Sequence, residues 1–159
     1  MSNYDIINSV GVEENMKKIF AVILLILVVI SAVVVIKFQN IQKEKKEIAK
    51  FNLEYEEYNK ENLNGLDITT VINKAVNNNE KYNITKDENG LYVQDDDYSI
   101  QIYITMIING KTYPMEKINA LGINSFIEYF GVVGFKCTDI QYHEHSGRIA
   151  SMTFEATDY

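Results

Sequence analysis

Ile19 to Ile36, IFAVILLILVVISAVVVI, constrains this chain more than any other stretch: eighteen consecutive residues carry no charge, and only Ser31 is polar. As a helix the run covers about 27 Å, close to the roughly 30 Å of a bilayer's hydrocarbon core. It is apolar on every side, so a helix here has no polar face to turn toward water. The sequence therefore predicts one membrane-spanning helix, with the lipid bilayer as the chain's first partner.

The flanks decide how that helix is used. Residues 1–15 show no sustained periodicity and are expected to be a disordered tail within an N-terminal segment 1–18. Met16-Lys17-Lys18-Ile19 reads like a second start, a basic opening that runs into the apolar core; two expectations follow with equal weight, initiation at Met16 or a genuine cytoplasmic tail over residues 1–15. A removable signal peptide has an apolar region of about 7–15 residues before a small-x-small cleavage site. Here the run is longer, and Ser31-Ala32 leads straight into Val33-Val34-Val35-Ile36. The segment is expected to be retained as a signal anchor. Lys17 and Lys18 precede it, and Lys37, Lys43, Lys45, Lys46 and Lys50 follow. Basic residues alone favour a cytoplasmic C-terminus. That rule weakens ahead of a long domain, and the Met-Lys-Lys opening resembles an export signal, so an extracytoplasmic C-terminal domain is expected.

Beyond the span, Lys37 to about Asn62 lacks Gly and Pro and is dominated by Lys, Glu and Gln, which predicts a helical stalk over 37–63. Ile41, Ile48, Phe51, Tyr55 and Tyr58 form one apolar stripe. It can pack on the protein's own domain, the favoured reading, or self-associate as a short coiled coil with a second copy. Asn64-Gly65 is read as the end of this helix. Asp67 is read as the cap of a second helix, Ile68 to about Val76, closed by Asn77-Asn78-Asn79.

The period then changes. Tyr82–Thr85 reads as a short strand, Asp87–Gly90 and Asp95–Asp97 as turns, and Tyr98–Ile108 as a longer strand. The latter places Tyr98, Ile100, Ile102, Ile104 and Met106 on one face. Asn109-Gly110 is a strong hairpin signal. Met115 to about Val133 reads as mostly helical with a break at Gly122. Phe135–Tyr142 and Ile149–Phe154 form a final hairpin. The predicted class is α+β: a long transmembrane helix, its stalk, then over 64–159 a small antiparallel sheet with short helices.

Chemistry is sparse. Formal charge is −7, so nucleic acid is a poor partner. One cysteine, Cys137, excludes an internal disulfide and any Cys-rich metal site. His143 and His145 are the weak metal candidates, because residues i and i+2 on a strand share a face. An exposed polar turn is the favoured explanation, because no third ligand is recognisable nearby and the pair falls in the expected hairpin turn. Cys137 and His143, about 20 Å apart along an extended strand, cannot act as nucleophile and base. Asp95, Asp96 and Asp97 with Asp87, Glu88 and Asn89 offer oxygen ligands for calcium, but without EF-hand spacing solvated acidic turns are the favoured reading. The tyrosines, among them Tyr82, Tyr92, Tyr98, Tyr103, Tyr113, Tyr129 and Tyr142, suit a half-buried sheet face better than a binding surface. With no phosphate loop, nucleophile elbow or zincin motif, no catalytic residue, cofactor or enzymatic activity is expected.

A long apolar helix, its polar continuation and a compact α+β head resemble the layout of type IV pilins and pseudopilins. The pilin processing motif is absent: Gly11 is followed by Val12-Glu13-Glu14-Asn15-Met16, which puts methionine where pilins carry glutamate. Gly65–Ala75, Phe135–Thr138 and Tyr142-His143 are similar to segments of small single-pass bacterial membrane proteins, to which no activity is attached. Together these readings predict a membrane-anchored, non-catalytic assembly or interaction module. The alternatives are a pilin-like subunit of a surface filament or secretion apparatus, or a membrane-tethered ligand or metal sensor.

Overall fold

In the computed structural model the chain is described over residues 3–93 and 100–157, with side chains from Asn15 onward, Ile123 excepted. It divides into two units, Met1–Lys46 and Glu47–Tyr159. In the first, α1 (Asn3–Glu56) begins well ahead of the apolar run. The segment expected to be disordered is thus helical from Asn3, because extending a formed helix avoids the cost of nucleating one. Every residue from Asn15 to Lys46 is exposed. The most apolar 18-residue window has a mean hydropathy of 3.6, and none of it is buried.

The second unit holds the end of α1 and seven further elements. These are α2 (Gly65–Lys81), β1 (Tyr103–Ile108), β2 (Lys111–Pro114), α3 (Met115–Leu121), α4 (Ile123–Phe130), β3 (Phe135–Tyr142) and β4 (Ile149–Ala156). The α+β class is as expected. The stalk helix, however, stops at Glu56, short of Asn62. Residues after it are needed in extended form: Leu63 and Phe135 exchange both backbone hydrogen bonds, and the Cys137 N–H donates to the Lys60 carbonyl. This pairing covers part of the otherwise open edge of β3. The expected stripe divides as well. Phe51, Tyr55 and Tyr58 pack into the core, and Ile41 stays exposed.

Asn64-Gly65 starts α2 instead of ending α1. Asn64 Oδ1 accepts from Leu66 N–H (2.9 Å) and Asp67 N–H (3.1 Å), and Asp67 Oδ2 accepts from Asn64 N–H (2.9 Å). This is a capping box, so Asp67 is its third helical residue and not the cap itself. Ile68, Val71, Ile72, Ala75 and Val76 form the buried face of α2 as the periodicity predicts. Asn77–Asn79 do not end the helix, which runs to Lys81. The buried Asn79 amide binds both backbone groups of Ile102, donating to its carbonyl and accepting from its N–H, each at 2.9 Å. A tertiary demand at Asn79 overrides the low helix propensity of asparagine.

Tyr82–Thr85 is not a strand. Asn83 takes a left-handed φ of 54°, and the Ile84 N–H returns to the Asn79 carbonyl. The expected turn at Asp95–Asp97, and Tyr98, lie outside the described residues. Within β1, Ile104, Met106 and Ile108 point into the core with Ile102 just ahead of them. Asn109 (φ 51°) and Gly110 (φ 69°) make the expected tight hairpin to β2.

The sheet order is β2-β1-β4-β3. Both hairpins are antiparallel, but β1 and β4 pair in parallel, Tyr103 opposite Ser151 through Ile107 opposite Glu155. The sheet is mixed, not purely antiparallel. Parallel neighbours need a long connection, and here β2, α3, α4 and β3 supply it. The break between α3 and α4 falls at Gly122, whose φ of 85° suits glycine.

Candidate functional site

A groove of about 630 Å³ lies between the last turns of α1 and of α2 in the Glu47–Tyr159 unit. Its residues follow from helical periodicity. Glu47, Lys50, Phe51, Glu54 and Tyr55 share one face of α1; Lys74, Asn77, Asn78 and Lys81 share one face of α2. Tyr82, just past α2, and Arg148, from the β3–β4 connection, complete the lining.

Arg148 is held in place by its neighbours. Asn52 of α1 donates through Nδ2 to the Gly147 carbonyl (2.8 Å) and accepts at Oδ1 from Ile149 N–H (2.9 Å). The side-chain amide thus brackets Arg148, whose guanidinium sits 5.2 Å from the Phe51 ring centroid. The Tyr142 hydroxyl adds a bond to Glu56 at 3.3 Å. Replacing Asn52 with Ala is expected to cost about 1–2 kcal/mol, the net worth of two partly exposed hydrogen bonds. A denaturant melt measures it, and an unchanged midpoint would contradict this role.

Electrostatically the groove is mixed. Lys50, Lys74, Lys81 and Arg148 face it with Glu47 and Glu54. Lys74 is committed to Glu57, which holds that carboxyl below the usual range. Lys81 lies 5.1 Å from the Tyr82 ring centroid, in the last turn of α2, where a cation offsets the helix dipole. Phe51 and Tyr55 meet in a tilted contact with ring centroids 4.9 Å apart. Cationic heads over aromatic faces, interleaved with carboxylates and amides, suit a polar partner with both apolar and charged groups. Nothing in this lining pairs a nucleophile with a base.

The lowered Glu57 carboxyl makes a pH prediction. A carboxyl whose folded pKa is depressed contributes stability that is present above its unfolded pKa and lost as pH falls through the folded value. Asp87 behaves alike, its carboxylate accepting from Leu91 N–H (2.8 Å) and Asn89 N–H (2.9 Å), with Leu91 the larger cause of its lowered pKa. The melting temperature should therefore fall as pH drops through and below the ordinary carboxylate range. Glu57→Gln and Asp87→Asn together should flatten that slope. An unaltered slope would contradict the assignment.

The residues singled out by sequence are scattered. His143 follows the end of β3, so strand alternation does not align it with His145. Its Nε2 lies 2.8 Å from the Gln101 carbonyl, and its backbone binds Arg148 and Gly147 across the turn. His145 is exposed in that turn. No group of three His, Cys, Asp or Glu side chains among the described residues is placed to hold a metal ion. Cys137 is half-buried against the core, and burial pushes its thiol up. Tyr55, Tyr58 and Tyr92 are buried, whereas Tyr82, Tyr129 and Tyr142 are exposed. Sequence reasoning missed Asn52 and the pairing of Arg148 with Phe51, which join residues nearly a hundred positions apart. The polar i, i+3, i+4, i+7 stripe of α2 is a readable signal, masked by the low helix propensity of Asn77–Asn79.

Comparison with family models, with curated proteins and with solved structures returns no match to this chain.

Proposed function

We propose that this is a single-pass membrane protein whose folded unit is a non-catalytic interaction module, displayed outside the cytoplasm of a bacterial cell and retained by an uncleaved signal anchor. One observation carries the membrane reading: eighteen uncharged residues form a helix with no side of it buried. Soluble proteins rarely leave so large an apolar surface in water, and lipid is the solvent that suits it. The full-length protein should stay in the membrane pellet after alkaline carbonate washing. Release into the supernatant would overturn the anchor.

The groove between α1 and α2 is the contact surface in this reading. A photoreactive residue at the exposed Asn77 should form a discrete adduct in intact cells. Charge reversal at Lys50 and neutralisation of Lys81 as Lys81→Gln should abolish it while leaving a cooperative melt lowered by no more than a few degrees. Absence of any adduct, or one indifferent to these substitutions, would contradict the groove as the interface.

The layout also favours a second reading, a pilin-like subunit whose apolar helix packs against further copies in a filament. That arrangement would release the protein into sheared surface fractions. Recovery only in membranes as a monomer or dimer counts against it.

A further inference from the structure

A second cavity, about 370 Å³, is lined by Leu91, Tyr92, Tyr103, Pro114, Glu116 and Ser151. Glu116 is half used. Its Oε1 accepts from Tyr92 N–H at 3.0 Å, while its Oε2 is buried with no hydrogen-bond partner. No cationic side chain pairs with it among the described residues. A buried carboxylate oxygen without a donor is costly, and such atoms in folded proteins usually mark a missing ligand, ion or water.

The Tyr92 hydroxyl is buried as well, and Lys86 works against the upward push of burial on its phenol. The Tyr103 hydroxyl is occupied, donating to the Tyr92 carbonyl. Burial, with the charges of Glu116 and Asp87 adding to it, pushes the Tyr103 phenol up to about 12. Burial penalises any unpaired charge here, and the Glu116 and Asp87 carboxylates set the sign that is better tolerated, a cation paired with Glu116. Lys86 already shows the local preference, its ammonium 4.5 Å from the Tyr92 ring centroid.

We propose that this cavity binds the ammonium group of a small primary amine, which supplies the donor that Glu116 Oε2 lacks while its hydrocarbon part lies against the tyrosines, Leu91 and Pro114. Three features choose this ligand class. Aromatic and aliphatic walls attract an alkylammonium through its charge and its carbon chain. A hard metal ion would require several oxygen ligands, and the lining offers one free carboxylate oxygen. A quaternary ammonium has no N–H to donate to that oxygen.

The test uses full-length protein in a nonionic detergent, with n-butylammonium, n-butanol and tetramethylammonium as probes. Butylammonium should raise the melting temperature saturably, below the concentration at which butanol begins to lower it. Butanol and tetramethylammonium should not stabilise. Glu116→Gln keeps an acceptor for Tyr92 N–H but removes the charge, so it should fold and bind butylammonium about tenfold or more weakly. Equal stabilisation by butanol and butylammonium, or equal binding to wild type and Glu116→Gln, would overturn the proposal. So would no stabilisation by butylammonium at all, which assigns the cavity to water only. The comparison among probes on the wild-type chain holds even if the variant fails to fold.

Discussion

Asn79→Ala is expected to lower the melting temperature of this protein by more than about 10 °C, the largest effect of any polar truncation in the folded unit. Asn79 is fully buried, and its amide is the hydrogen-bond partner of Ile102 on both sides, at 2.9 Å each. It does for Ile102 what a neighbouring strand would do, just where the chain enters β1. Truncation leaves a buried N–H and a buried carbonyl without partners, each costing about 1–3 kcal/mol. A domain of this size has a total stability of only about 5–15 kcal/mol. Asn79→Asp discriminates hydrogen bonding from packing, because it preserves shape. Its carboxylate can still accept from the Ile102 N–H but sets an oxygen against the Ile102 carbonyl. The Asp variant should therefore be destabilised near neutral pH and regain part of the loss in acid, where a protonated carboxyl can donate. A thermal melt at two pH values reads both effects, and a drop confined to a few degrees would contradict the role given to Asn79.

Gly65→Ala is the second large effect, and its cause is steric. A β-carbon at residue 65 would lie 2.2 Å from the Phe130 carbonyl oxygen and 2.8 Å from the Gly131 Cα. Both are backbone atoms, so no side-chain rotation relieves the clash, and the start of α2 must move away from the end of α4. The cost should reach or exceed the upper end of the about 1–3 kcal/mol found for overpacked cores. Leu66→Ala is the control beside it: Leu66 is largely exposed, and surface substitutions usually stay within about 0.5 kcal/mol. Equal midpoints for the two variants, measured by denaturant melts, would contradict the close approach of α2 to α4.

The elements legible in the sequence are those written in local pattern. The apolar face of α2, the Asn109-Gly110 hairpin, the break at Gly122 and the final β3–β4 hairpin each declare themselves within a few residues. What was hidden depends on partners far along the chain. Glu56 ends α1 because Lys60 and Leu63 pair with β3 some seventy positions later, and Asn64-Gly65 reads as a helix stop or a helix start until that pairing is known. Likewise the parallel β1–β4 contact follows from strand order, which alternation of apolar residues does not encode. At the groove, the α1 and α2 stripes are periodic and readable, whereas Arg148 joins them only through Asn52.

In the proposed arrangement α1 crosses a membrane and leaves the folded unit outside the cell. Its most direct test is thiol labelling of a Cys137→Ser, Val132→Cys variant with a membrane-impermeant reagent. Val132 is 99% exposed, so the introduced thiol should react wherever reagent can reach it. Labelling in intact cells, undiminished relative to lysed cells, is the expected result. Labelling only after lysis would place the folded unit in the cytoplasm and contradict the proposed orientation.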